Sequence, residues 1–244
     1  MNKSILYIIM LVFLMSSCSR DAKDIFKDVQ ISLDSNKLEL AIADLNLILD
    51  KFPKDSLAPE AQYKLSIIYN EWENNPDNGY VALEATIKNY PKTKQANRAR
   101  EKIKDYPDWL FNKAESLRKK KLLKESVSFL AYLLKNFENH NLCSKSQYLM
   151  GDIYMNDLRD FETALLQYRK VIKKYPGSNE DPHAQFMIGY IYANIVKDYV
   201  QAKKEYSLFL SKYENHELSP SVEFEIEFLG KDINEIPALK KITS

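Results

Sequence analysis

Apolar residues in this chain recur at intervals of three and four along most of its length. In residues 184–194 the positions Phe186, Ile188, Gly189, Ile191 and Tyr192 form one such stripe. That spacing predicts amphipathic helices. No segment after the first twenty residues shows strand-like alternation bounded by turn signals. The stripes themselves repeat. Residues 147–176 (QYLMGDIYMNDLRDFETALLQYRKVIKKYP) align with residues 185–214 (QFMIGYIYANIVKDYVQAKKEYSLFLSKYE) at an offset of 38, so that Gly151 matches Gly189, Tyr154 matches Tyr192, Ala164 matches Ala202, Tyr168 matches Tyr206 and Tyr175 matches Tyr213. A period of this length means stacked supersecondary units. Aromatic residues close successive units at Phe52, Tyr90, Phe137, Tyr175 and Tyr213, at spacings of 38, 47, 38 and 38. Proline follows at Pro53, Pro91 and Pro176, where it ends a helix and turns the chain. A small residue stands at the same place in each unit: Ala41, Gly79, Ser126, Ala164 and Ala202. Helices packed as a hairpin approach most closely where side chains are smallest, which gives that column a packing reason.

A small residue followed by an aromatic three later, then an alanine and an aromatic four beyond it, resembles the tetratricopeptide repeat, a helix–turn–helix unit. The resemblance implies an all-α solenoid of about five units, expected at residues 21–53, 57–91, 108–138, 143–176 and 181–214. An apolar-striped helix at residues 219–229 (Val222, Phe224, Ile226, Leu229) is expected to cap the last face, as solenoids require. Within the 47-residue interval, residues 95–105 (QANRAREKIKD), followed by Pro107, predict an additional helix. The solenoid as a whole is expected over residues 18–230, with a tail of undecided character at 231–244.

Residues 1–17 are of a different kind. Lys3 supplies a positive start, residues 5–15 (ILYIIMLVFLM) form an apolar run of eleven, and Ser16 and Ser17 precede Cys18. A run of that length is short of the roughly 20 residues a membrane span needs, and suits a secretory signal. A cysteine directly after small residues resembles the bacterial lipobox, although Met15 stands where that motif usually has leucine. The resemblance implies cleavage before Cys18, lipidation of its thiol and anchoring by several acyl chains. Ser19, where inner-membrane retention would favour aspartate, points to the periplasmic side of an outer membrane. The alternatives are a plain signal peptide with an incidental cysteine, or an uncleaved anchor.

Losing Lys3 with the leader leaves equal numbers of basic and acidic residues, so nothing in the charge balance seeks nucleic acid. Cys143, the second of two cysteines, has no intrachain partner once Cys18 is lipidated, and reads as packing at a helix start. The basic run at residues 118–121 (RKKK) reads as a solvated helix end, with a contact to anionic lipid or an acidic partner as the alternative.

One further column bears on function. Three residues before the small position of each first helix stands an aromatic: Phe26, Tyr63, Phe111, Tyr148, Phe186, and Phe224 in the cap, at intervals of 37, 48, 37, 38 and 38. In tetratricopeptide proteins this position tends toward the concave face. Either the row serves packing alone, or Tyr63, Phe111, Tyr148 and Phe186 hold a partner segment by apolar contact, with Asp152 and Tyr190 one turn on and Asn156 and Asn194 bonding its backbone. Domains of this family that grip a C-terminal carboxylate use Lys, Asn and Arg on adjacent first helices. Asp152 and Tyr190 do not match that set.

No catalytic constellation, phosphate loop or metal-ligand spacing is present, and the three histidines His140, His183 and His216 fall near unit boundaries. The sequence therefore predicts a binding protein with no cofactor and no metal. The lipobox, the unit count, and the phrases 52–56 (FPKDS) and 175–178 (YPGS) look like the BamD-type lipoproteins of outer-membrane β-barrel assembly. That resemblance implies envelope proteins as partners, β-barrel assembly components among them. A CpoB-type protein linking envelope constriction to wall synthesis is the second resemblance, although its N-terminal coiled coil has no counterpart here. A glycan- or small-ligand-binding lipoprotein is the third reading, and Trp72 and Trp109, both near helix ends, give it little support.

Overall fold

The computed structural model describes residues 20–231, so the leader, Cys18 and all of the tail but Lys231 lie outside the described residues. Those residues fold as twelve helices, with no strand among them. They cluster into two compact bodies that divide between Asp105 and Tyr106, inside the one long interval of the repeat.

The first body contains α1 (Ala22–Asp34), α2 (Leu38–Lys51), α3 (Ala58–Ile67, prolonged by a π-helical turn, Ile68–Trp72), α4 (Pro76–Asn89) and α5 (Lys94–Lys104). The second contains α6 (Tyr106–Lys119), α7 (Leu123–Asn136), α8 (Cys143–Asp152, with π turn Ile153–Leu158), α9 (Phe161–Lys174), α10 (Glu180–Tyr190, with π turn Ile191–Val196), α11 (Tyr199–Lys212) and α12 (Ser219–Glu227). Pairs α1/α2, α3/α4, α6/α7, α8/α9 and α10/α11 are antiparallel hairpins. Within each body the second helix of one hairpin packs on the first helix of the next. This is the tetratricopeptide-like all-α architecture.

Small residues set the distance within each hairpin. Ala41, Ser126, Ala164 and Ala202 are fully buried. Gly151 and Gly189 seat an aromatic ring from the facing helix: a Cβ on either would lie 2.5 Å from Tyr168 or 2.4 Å from Tyr206. Units without this glycine carry Val29, Ser66 or Ala114 at the same place, and Leu45, Leu83 or Leu130 where the tyrosine would be, all buried. Burial of each such leucine contributes roughly 2 kcal/mol.

Every hairpin turns through one residue in the left-handed region: Asn36, Asn74, Lys121, Arg159 and Lys197, with φ between 49° and 61°. Their spacing repeats the 38, 47, 38, 38 of the closing aromatics. The hydrogen bond that closes the turn differs between units. Lys37 N donates to Ser32 O and Leu122 N to Leu117 O, five residues back, whereas Asn75, Asp160 and Asp198 donate to Tyr69, Tyr154 and Tyr192, six back. The π turn in α3, α8 and α10 thus accommodates one inserted residue. It also accounts for the aromatic column, whose intervals are one residue off those of the closing aromatics wherever a unit with the insertion meets one without it.

Between units, the third residue after the closing aromatic starts the next hairpin. The side chains of Asp55, Thr93, His140 and His216 accept from the backbone N–H of Leu57 (2.8 Å), Ala96 (3.2 Å), Leu142 (3.3 Å) and Leu218 (3.2 Å). Two of the three histidines therefore serve the turns. The cap α12 buries Val222 but leaves Phe224 exposed and Ile226 half-buried, so its predicted apolar stripe is only partly covered.

Candidate functional site

Tyr63 and Phe111 are buried in the packing of their bodies and present no open ring surface. Burial raises the Tyr63 hydroxyl pKa against the opposing charge of Arg98. Tyr148 and Phe186 are half-buried, as are Asp152 and Tyr190, while Asn156 and Asn194 are exposed. Asp152 and Tyr190 occupy equivalent places on α8 and α10, which lie side by side, and Asn156 and Asn194 do so within the π turns. The structure therefore brings six of the eight predicted row residues onto two neighbouring first helices.

Three rings of the aromatic column are met by a side chain of the next first helix. Lys64 Nζ stands 5.6 Å from the Phe26 centroid, and Lys145 Nζ stands 4.7 Å from that of Phe111. The His183 ring meets Tyr148 edge-on at 6.3 Å. Cations over ring faces are attracted by the ring quadrupole, so these contacts tie unit to unit. Phe186 sits against Tyr190 (6.4 Å) and Tyr206 (6.0 Å), at the open end of the row. Beyond it a cleft of about 420 Å³ is lined by Asn194, Lys197, Tyr199, Phe224, Phe228 and Lys231, among others.

Asp152 is the electrostatic centre of the row. Its Oδ1 accepts from the Tyr168 hydroxyl at 2.7 Å. Burial raises its carboxyl pKa, against the opposing effects of the Tyr168 hydrogen bond and the Arg118 charge. Burial also holds the Tyr148 hydroxyl well above its usual range, with the nearby charges of Asp152 and then Glu180 adding to the effect. Arg118 Nε is bonded to Asp157 (2.6 Å) and Arg118 Nη2 to the Asp152 carbonyl (3.4 Å), while Lys121 Nζ also meets Asp157 at 2.8 Å. Arg118 and Lys121 of the 118–121 basic run thus join two repeats, while Lys119 and Lys120 stand exposed at the helix end.

Several buried polar groups were not singled out from sequence. Asp181 is fully buried, accepts from Gly177 N at 2.8 Å, and pairs with Lys212 at 3.3 Å. The corresponding residues are Ala58, Ala96, Cys143 and Ser219, so an acid in a small-residue column was the available signal. Glu205 is buried too, and accepts from Gln185 (2.9 Å), Gln201 (2.8 Å) and Arg169 (3.2 Å), the last reaching across from the preceding unit. Cys143 is buried and points its thiol at the Phe137 carbonyl (3.1 Å), and burial raises its pKa. Among the described residues no group of His, Cys, Asp and Glu is arranged to hold a metal ion. The His183 and His216 rings meet edge-on with centroids 5.4 Å apart. Trp109 stacks on Tyr106 at 5.0 Å, while Trp72 is exposed.

The sequence profile of the tetratricopeptide repeat family matches residues 60–93 and 145–178. These segments cover most of the α3/α4 and α8/α9 hairpins. A crystal structure of a tetratricopeptide repeat protein from Parabacteroides merdae is similar at 13% identity with a TM-score of 0.39, covering 91% of this chain and 78% of that one. No curated protein matches the chain. Tetratricopeptide repeats act generally as protein-interaction scaffolds, and two segments of this chain match that repeat.

Proposed function

We propose that this protein is a scaffold held by lipid at Cys18 on the periplasmic face of an outer membrane, where it binds a segment of an envelope protein along the first helices of its second body. The observation that carries the binding reading is the juxtaposition of half-buried Tyr148, Asp152, Phe186 and Tyr190 with exposed Asn156 and Asn194 on α8 and α10. Half-buried rings offer contact area at little entropic cost, and exposed amides can bond an extended backbone, Asn194 with its oxygen since its Nδ2 donates to the Tyr190 carbonyl at 3.3 Å. The lipobox-like run ending at Cys18 supports the anchoring, and the same run together with the repeat count supports a place in outer-membrane β-barrel assembly. Pull-down from detergent-solubilised envelopes, using the chain tagged at its C-terminus beside a Cys18→Ala control, tests both parts. Recovery of a β-barrel assembly protein by the wild type is the expected result. Recovery of wall synthases would move the protein to envelope constriction, and recovery of glycan alone would overturn the scaffold reading. Failure of Cys18 to incorporate labelled palmitate would overturn the anchor.

A further inference from the structure

We infer that residues 232–244 of this chain fill the cleft at the end of its second body, packing on α12 as the second helix of a sixth hairpin. This closes the solenoid, and it does not rest on the anchor or the partner proposed above.

The cleft, of about 420 Å³, lies between the turn of the last hairpin and α12. Its walls include Phe224 and Tyr199, which are 37% and 42% exposed. The Phe228 ring packs 4.7 Å from Phe224, with Lys231 Nζ 4.9 Å from its centroid. Apolar surface at the end of a solenoid calls for a cover. Lys231 is itself part of the wall, so the tail leaves from the cleft. It therefore meets that surface at the high effective concentration of an intramolecular ligand, an advantage that no separate partner has.

Helix α12 occupies the place of a first helix. It packs on α11 as α10 packs on α9, yet no second helix follows it among the described residues. The chain nevertheless turns after it as in the other hairpins, through a left-handed residue, Gly230 (φ 77°). Four places before the left-handed residue, all five hairpins bury a side chain, Ala193 in the last. Four before Gly230 stands Ile226, which is half-buried. Nine and twelve places after it, all five hairpins bury side chains again, Tyr206 and Phe209 in the last. Nine and twelve after Gly230 stand Leu239 and Ile242. The face of α12 that lacks a neighbour and the tail residues that need one therefore correspond.

The sixth pair also differs from the five. Glu235 stands five places after Gly230, where the hairpins carry their small residue, and Pro237 is tolerated only in the first turn of a helix. The tail helix accordingly begins near Ile236, without a close approach at the turn. An open cleft beside Gly230 fits that wider spacing. Ile236, Leu239 and Ile242 recur every third residue and share one side of such a helix.

Hydrogen exchange on the full chain in detergent, read by mass spectrometry, tests this. Amides of residues 238–243 should exchange at least about tenfold more slowly than in a synthetic peptide of residues 232–244. Leu239→Ser/Ile242→Ser should abolish that protection, and Phe224→Ser and Tyr199→Ser, at exposed wall residues, should each weaken it. Protection within α11 and α12 shows that each variant is folded. Should Phe224→Ser melt α12, Tyr199→Ser on α11 gives the same reading. Light scattering should find one mass for the wild type and the tail variant, since the tail fills the cleft of its own chain. Exchange of 238–243 at the free-peptide rate would overturn the inference. So would protection that survives both wall variants, which would seat the tail elsewhere, or a dimer that the tail variant dissociates, which would make the occupant a second copy.

Discussion

The last two hairpins and the first three solve one packing problem with different residues. In α8/α9 and α10/α11 a glycine faces a buried tyrosine, Gly151 with Tyr168 and Gly189 with Tyr206. In the others a larger first-helix residue is matched by a smaller partner: Val29 with Leu45, Ser66 with Leu83, Ala114 with Leu130. Interior space is conserved, so a gain on one helix is offset by a loss on the other. The tyrosine solution brings a hydroxyl that needs an acceptor when buried. Tyr168 finds Asp152 at 2.7 Å, and Tyr206 reaches toward Glu225 in the cap at 3.4 Å. A packing choice in the hairpin interior thereby places a carboxylate in the first-helix row.

The sharpest way to break this comparison is to exchange one solution for the other by halves. Gly151→Ala puts a methyl group against the Tyr168 ring, and should cost about 3 kcal/mol in urea unfolding. Adding Tyr168→Leu recreates the Ala114/Leu130 pair and should recover about 2 kcal/mol of that loss, a coupling that a double-mutant cycle measures directly. Additive costs would mean that the close approach of glycine and tyrosine does not set the hairpin distance.

A second column separates one repeat from the rest. Where other units place Ala58, Ala96, Cys143 or Ser219, the fifth places Asp181, buried and paired with Lys212. Lys212→Met strands that carboxylate with the Gly177 N–H. Because the lysine is partly exposed, the expected cost is about 2 kcal/mol rather than the larger figure for a fully buried pair. Asp181→Ser/Lys212→Met should restore most of it, since Ser219, at the equivalent place, donates to its closing-aromatic carbonyl at 2.9 Å. If the double variant is no more stable than Lys212→Met, the acid is required by something other than its partner.

The hairpin architecture was legible because its determinants are strictly periodic. A small residue every unit, a closing aromatic and helical apolar spacing all survive translation by 38 residues. The π turns were not read from sequence, although the off-by-one intervals of the aromatic column (37 and 48 beside 38 and 47) carried their trace. A single inserted residue leaves composition and stripe almost unchanged, and only the hydrogen-bond register reveals it. The row was legible as a column but not as a surface. Whether an aromatic is open depends on the side chain that the next helix supplies, and Lys64, Lys145 and His183 were not paired with Phe26, Phe111 and Tyr148 from sequence. The use of Arg118 and Lys121 by Asp157 escaped for the same reason, since the residues stand 39 and 36 apart and meet only when the repeats stack.

The turns give the finest version of the comparison. In the three units with an inserted residue, the residue after the left-handed position caps the second helix: Asn75 accepts from Asn78 N at 3.1 Å, Asp160 from Thr163 N at 3.0 Å and Asp198 from Gln201 N at 3.0 Å. In the two units without it, Lys37 and Leu122 stand at that place and provide no cap. Either the capping residue needs the wider π turn, or the two features merely coincide in these repeats. Leu122→Asp separates these cases, because Leu122 is exposed and its removal leaves no cavity. A cap satisfies an otherwise free helix-start N–H and contributes about 1 kcal/mol. If the narrower turn accepts it, Leu122→Asp should raise stability by that amount, and Leu122→Ala should not. If Leu122→Asp brings no gain, the inserted residue is what brings the side chain into reach, and the cap and the π turn are parts of one device that these three units share.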